Sequence, residues 1–153
     1  MNKNIQFKLA QASLPKEFKE LIKLSKMENL DFLDRTLRQW QTYENQFSKA
    51  GEAFYLGYYA GKLVACGGIN QDPYLKSQAL GRIRHLYVHP GYRRKGIAKE
   101  LLNKIIEESK PNFKKIRLRS NSVFVGSKQF YLACGFLESK NDPYETHFMM
   151  MED

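Results

Sequence analysis

The chain has 153 residues, the length of one ordinary domain, and is long enough to bury a hydrophobic core without disulfide or metal support. Its make-up, 42% apolar and 27% charged, is that of a globular protein rather than a disordered one. The formal charge of +9 is unevenly placed: residues 76–137 carry 14 basic and 3 acidic side chains, a balance of +11, so this segment is expected to face an anion.

Several classes fall away. No apolar run approaches the roughly 20 residues of a membrane span. The N-terminal stretch lacks the apolar core of an export signal, so a cytoplasmic chain is expected. Cys66 and Cys134 are too few for a disulfide scaffold and, with His85, His89 and His147, show no metal-ligand spacing. Neither a metal site nor a membrane partner is expected. A single domain over residues 1–153 is the simplest organisation, since no repeat or linker interrupts it.

In chain order, Ile5 to Ala10 alternates as a first strand. Pro15 opens a helix with Phe18, Leu21 and Ile22 on one face. Asp31 is placed to cap a second helix carrying Leu33, Leu37 and Trp40. Ala53 to Tyr59 and Leu63 to Ile69 read as a hairpin around Ala60-Gly61-Lys62, with tyrosines of the first strand as candidates to line an acceptor cleft. A loop from Asn70 to Ser77 follows. The next strand, Ile83 to Val88, stops at His89-Pro90-Gly91. Strict alternation puts His85 on one face with Ile83 and Tyr87. Ile97, Leu101, Leu102, Ile105 and Ile106 mark an amphipathic helix ended by Pro111. A strand through Ile116 and Leu118, a helix from Ser127 to Cys134 closed by Gly135, and a strand from Tyr144 to Met150 complete the chain. This order argues for an α/β (α+β) sheet flanked by helices, with at least one β-α-β crossover.

The most specific stretch joins the strand at Ile83 to the helix at Ile97 through a basic turn. Amides at a helix start point outward and favour negative charge. Gly96 permits close approach or a positive φ, and Arg93, Arg94 and Lys95 add charged donors beside those amides. The small Ala98 leaves room for a phosphate. Neither GxxxxGK[ST] nor GxGxxG is present, so the cradle is of another kind.

Arg93-Arg94-Lys95-Gly96-Ile97-Ala98 resembles the (Arg/Gln)-x-x-Gly-x-(Gly/Ala) signature of the GNAT superfamily of N-acetyltransferases. Leu86-Tyr87-Val88-His89-Pro90 is similar to the strand end that precedes it there. Phe130-Tyr131-Leu132-Ala133-Cys134-Gly135-Phe136 resembles the family's later helix end. The resemblance implies a mixed, mostly antiparallel sheet of roughly six to seven strands. It implies acetyl-CoA as donor, its pyrophosphate on Arg93, Arg94, Lys95, Gly96, Ile97 and Ala98, and its pantetheine arm along a bulged strand at Leu86, Tyr87 and Val88. Asn121 and Lys128 are placed with these cofactor-binding residues. Tyr131 would protonate the departing thiolate, and amides at the strand splay would polarise the thioester carbonyl.

The sequence departs from the family pattern in three places. No carboxylate lies between Pro73 and Val88, where many members carry a glutamate, and His85 is the nearest titratable group. Asn121 and Tyr131 stand ten residues apart, longer than the common spacing. Cys134 stands where a bulky aliphatic residue is usual.

The leading expectation is an acyltransferase that moves acetyl from acetyl-CoA to a primary amine of a small molecule or amino acid, directly, in a ternary complex. Two alternatives stand beside it. One is a nucleic-acid-directed protein, such as an aminoacyl-tRNA acetyltransferase or a basic binding module; the other is a catalytically silent CoA-binding sensor. Monomer and homodimer are both open. The basic surplus at Arg82, Arg84, Arg117 and Arg119 lies away from the phosphate turn and marks where an acidic acceptor would be sought.

Overall fold

The computed structural model describes residues 4–75, 79–120 and 126–151. The elements are β1 (Ile5–Leu9), α1 (Phe18–Met27), α2 (Phe32–Gln41), β2 (Ala53–Tyr59), β3 (Lys62–Gln71), β4 (Leu80–Val88), a 3-10 turn (Pro90–Tyr92), α3 (Ile97–Ser109), β5 (Lys115–Leu118), α4 (Ser127–Ala133), β6 (Leu137–Glu138) and β7 (His147–Met150). The seven strands form one sheet in the order β1-β2-β3-β4-β5-β7-β6. Every neighbouring pair is antiparallel except β4 and β5, which run parallel and are joined through α3. That β-α-β unit is the crossover the element order called for.

Two apolar layers hold the sheet. On one face α3 buries Ile97, Leu101, Leu102, Ile105 and Ile106 against Val64, Ile83 and Ile116. On the other, α1 and α2 bury Phe18, Leu21, Leu33 and Trp40 against Phe54, Cys66 and Tyr87. The 3.6-residue spacing of α3 and the period-2 pattern of the strands are what bring these sets together.

Several boundaries differ from the sequence reading. β3 runs on to Gln71, so the loop starts later than Asn70, and β4 starts at Leu80 rather than Ile83. Glycines weaken a strand signal, but Gly81 is needed here: a Cβ on it would lie 2.8 Å from Ile69 Cδ1 and 2.9 Å from Phe113. Asp31 stands at the start of α2 without a side-chain capping bond. α1 begins at Phe18, after a turn in which Phe18 N donates to Pro15 O at 3.0 Å. The last strand begins at His147, because Tyr144 N is held in a turn by Asp142 Oδ1 at 2.8 Å. β6 is too short to leave a periodic trace.

Candidate active site

An irregularity in β4 creates the site. Gly68 pairs with Arg84 and Cys66 with Tyr87, so one β3 residue, Gly67, opposes two of β4, His85 and Leu86. His85 takes the left-handed conformation, φ +58°, a strain of about 1–3 kcal/mol for a non-glycine residue. The extra residue overturns the expected alternation. Ile83, Leu86 and Val88 face the α3 layer, whereas His85 and Tyr87 turn toward the α1–α2 layer. There the His85 ring stacks on Phe32 with centroids 5.8 Å apart. Pairing between β4 and β5 ends at Arg82↔Arg117, yet β4 continues to Val88. The sheet therefore splays, and two adjacent hollows that share lining residues open there.

The first hollow, of about 540 Å³, lies between the end of β4, the start of α3 and α4; Leu86, Val88, Arg94, Lys99, Phe130 and Tyr131 are among its walls. Arg94 and Gly96 both have positive φ, +65° and +78°. Such a turn gathers backbone N–H groups into an anion-binding concavity, and the first amides of α3 have no acceptor within the helix. A Cβ on Gly96 would meet nothing within 4 Å, so the cradle is open on that side.

The Arg93 guanidinium is committed elsewhere. Its Nη1 and Nη2 donate to the Glu28 carboxylate at 2.8 and 2.7 Å, its Nε donates to Val88 O at 3.0 Å, and the Tyr87 hydroxyl donates to Glu28 at 2.6 Å. Arg93 is thus a strut fastening the turn to the end of α1, with its guanidinium donors engaged inside the fold. Its hydrogen bonds hold the Glu28 carboxyl below the usual range despite burial, and burial together with Glu28 pushes the Tyr87 phenol up.

Arg93 still lines the hollow, but two expected binding side chains do not. Lys95 Nζ sits 5.7 Å over the Tyr59 ring, and Lys128 Nζ pairs with Glu138 at 3.2 Å. Lys99, in the first turn of α3, supplies the positive charge instead; its proximity to the helix start was the available signal. Gly96, Ile97, Ala98, Leu86, Tyr87 and Val88 all line the hollow as expected. Asn121 lies outside the described residues.

The second hollow, of about 280 Å³, opens where β4 and β5 part and reaches toward α2. Phe32 and Arg35 come from α2, Arg84 from β4 just before the bulge, His85 from the bulge itself, and Arg119 from the end of β5. Tyr131, with Leu86 and Ser127, lines both hollows and stands at their junction. The tyrosines of β2 line neither, contrary to expectation, whereas Tyr74 from the loop after β3 does.

The protonation states of the two central groups follow from their partners. Thr36 Oγ1 donates to Phe32 O at 2.8 Å and so accepts from His85 Nδ1 at 2.6 Å. The proton of neutral His85 is thereby fixed on Nδ1, which leaves a lone pair on Nε2. Burial, reinforced by Arg84 and Arg35, holds the imidazole well below its ordinary pKa, so it is uncharged at neutral pH. Tyr131 is packed against Phe130, Phe136 and His147. Burial, with Cys134 nearby, pushes its phenol up to about 12, so its proton stays on Oη.

Of the four surplus arginines, Arg117 does not line the hollow. It is buried and donates through Nε and Nη2, both at 2.9 Å, to Asp72, which also lies 3.6 Å from Arg82. Burial raises the Asp72 carboxyl, but Arg117, the Leu75 amide and Arg82 together outweigh it and hold it low. Among the described residues no His, Cys, Asp and Glu cluster could hold a metal, and no helix is long and apolar enough to cross a membrane.

A sequence model of the acetyltransferase (GNAT) family matches residues 17–136. The chain belongs to that family. It is an acyltransferase, and acetyl-CoA is the donor typical of GNAT members. Solved structures agree with the fold. An assigned acetyltransferase from Exiguobacterium sp. 255-15 superposes with a TM-score of 0.81 at 25% identity, covering 95% of this chain and 93% of that one. A GNAT acetyltransferase from Staphylococcus aureus Mu50 gives 0.72 at 21% identity, with 94% and 96% covered. A variant of spermidine N-acetyltransferase from Vibrio cholerae gives 0.70 at 15% identity, with 98% and 95% covered. No curated protein sequence matches.

Proposed function

We propose that this GNAT protein is an N-acetyltransferase that passes an acetyl group from acetyl-CoA directly to the primary amine of a small acceptor, both substrates being held at once. The observation that carries this reading is the position of Tyr131, one side chain shared by a basic, amide-lined hollow and a second hollow that ends on His85.

The first hollow fits the donor. Outward amides of the Arg94–Lys99 turn, the charges of Arg94 and Lys99, and the open side of Gly96 suit the phosphates of CoA. The β4 edge released from β5 beyond Arg82 suits the amide-bearing pantetheine arm. Acetyl-CoA, when bound, supplies the acetyl group as an activated thioester.

The chain's own residues then manage two protons. His85 Nε2 holds a lone pair for a proton of the acceptor nitrogen, with Thr36 fixing the ring from behind. A weak base is enough, because that proton becomes acidic as the nitrogen bonds to carbon. Tyr131 holds a proton at Oη for the sulfur side of the reaction, and its high pKa keeps that proton available through neutral and alkaline pH. The apolar walls at Leu86, Phe130 and Phe32 keep water from competing with the amine. The family's missing glutamate is replaced in this scheme by His85.

A polyamine acceptor, such as the spermidine of the Vibrio cholerae neighbour, is disfavoured, because the acceptor hollow is lined by arginines. Thiol release in a panel of small amines tests the reading. Tyr131→Phe is expected to lower kcat about 100-fold, within the usual range for a lost general acid, while the KM for acetyl-CoA barely moves. An unchanged kcat from pH 6 to pH 9 would sink the assignment.

A further inference from the structure

The acceptor hollow has a charge imbalance that acetyl transfer by itself does not require. Arg35, Arg82, Arg84 and Arg119 line it, and among the described residues no Asp or Glu does. Three of these guanidiniums have other attachments. Arg82 donates to Tyr144 O at 2.7 Å and sits 3.6 Å from Asp72. Arg119 donates to Pro143 O at 2.7 Å, and Arg35 reaches Asp31 at 4.0 Å on the surface.

Arg84 differs. It is largely shielded from solvent, its polar contact is Asn70 Oδ1 at 3.4 Å, and among the described residues no carboxylate comes within the 4.0 Å of an ion pair. Asn70 is itself fixed by reciprocal amide bonds with Asn45 at 2.9 and 3.1 Å, so it orients the guanidinium without neutralising it. A shielded cation without an ion-pair partner is costly: burial and the repulsion of Arg82 and Arg35 outweigh the longer-range attraction of Tyr74 and Asp72 and lower the arginine's pKa. Arg84 stands between two hollows: one of about 730 Å³ around Asn45, Asn70, Glu44, Glu52 and Asp72, and the smaller one beside the proposed base, whose described lining holds no carboxylate. On the His85 side a ligand can relieve the imbalance.

We infer that the acceptor carries a compact anionic group, a carboxylate or a phosphate, on the same small molecule as its amine, and that Arg84, helped by Arg35 and Arg119, binds that group. The inference rests on the N-acetyltransferase reading above. Arg84 and His85 are consecutive residues, and because the bulge turns His85 away from the α3 face, both line one hollow of about 280 Å³. The anion and the amine are therefore only a few bonds apart, as in amino acids or aminoalkyl phosphates. A guanidinium suits either anion through paired N–H donors. Arg84 is the specificity residue; it does not touch the reacting atoms.

The test compares β-alanine, 2-aminoethyl phosphate, β-alaninamide and 1,3-diaminopropane as acceptors by thiol release. Calorimetric binding of N-acetyl-β-alanine and N-acetyl-β-alaninamide to the CoA-loaded protein is measured in parallel. The anionic members are expected to exceed the amide at least tenfold in kcat/KM or in affinity, with the diamine last. The first two acceptors tell carboxylate from phosphate. Arg84→Gln is expected to raise the KM or Kd for the anionic ligand about 10- to 100-fold, the loss of a charged hydrogen-bonded contact. It is expected to leave the amide and the KM for acetyl-CoA unchanged. Because the substitution removes an unpaired charge, the thermal midpoint is expected to hold or rise, which separates lost recognition from lost folding. Amide or diamine equal to the anionic acceptors, or no turnover and no binding with either anion, overturns the inference while acetyl-CoA binding still upholds the transferase reading. Failure to bind acetyl-CoA at all brings down that reading and the inference with it.

Discussion

Gly96→Ala separates the conformational role of the phosphate turn from its proposed binding role. Gly96 has φ +78° and ψ 9°, so an alanine there is held in the left-handed region, at a cost of about 1–2 kcal/mol. No steric cost is added, because the new Cβ would meet no atom within 4 Å. The protein should fold, with a thermal midpoint lowered by roughly 2–4 °C per kcal/mol. In the proposed complex, however, the open space is where the donor's phosphates approach the backbone. The methyl group and the turn it displaces should weaken acetyl-CoA binding at least tenfold, roughly 1.4 kcal/mol or more. Calorimetric titration with acetyl-CoA and a thermal melt on the same sample read the two effects independently. A midpoint lowered as expected with an unaltered Kd would show that Gly96 serves the turn alone and would refute the placement of the donor.

Two further outcomes concern charge. Burial, Arg84 and Arg35 depress the pKa of His85 in the folded state, so on acidification the unfolded chain takes up the proton first. The stability this group contributes is full above its unfolded value of about 6.5 and is lost as pH falls toward the folded value. His89 and His147 are shifted in the same direction. The urea midpoint should therefore drop between pH 7.5 and 5.5, and His85→Gln should flatten part of that slope; an identical slope in the variant would contradict the assignment. Asp72→Asn removes the carboxylate between Arg117 and Arg82, whose side chains are 3% and 8% exposed. Urea unfolding should show a loss of about 3 kcal/mol, as expected when one member of a buried ionic cluster is removed, and an unchanged stability would refute the role given to that cluster.

The proposed donor side of the cleft was readable because its residues are local: Leu86 to Ala98 form one strand–turn–helix passage ending on a glycine and a helix start. The core of α3 was readable for the same reason, as a period. The acceptor side was not. Phe32, Arg35 and Thr36 come from α2, Tyr74 from a loop, and Arg119 from the end of β5, and only the sheet order brings them to His85. The bulge was the deciding unknown, since one extra residue reverses the face of every side chain after it. Alternation wrongly grouped His85 with Ile83 for that reason, although it rightly grouped it with Tyr87. Side chains with two plausible partners were also illegible: Arg93 could serve a phosphate or Glu28, and Lys128 a phosphate or Glu138, and the folded chain pairs both internally. The +11 segment was a true signal of charge, but it combined a turn that faces the first hollow, a buried cluster around Asp72, and Arg84, which has no ion-pair partner among the described residues.

The central claim is that acetyl-CoA occupies the hollow between β4, α3 and α4, with Tyr131 at its inner end. Amide hydrogen exchange of the wild-type protein, with and without saturating acetyl-CoA, tests this most directly. The expected result is added protection in residues 92–99 and 127–134. Saturable binding with exchange unchanged in both segments, or protection confined to residues 43–52 on the far side of Arg84, would contradict it.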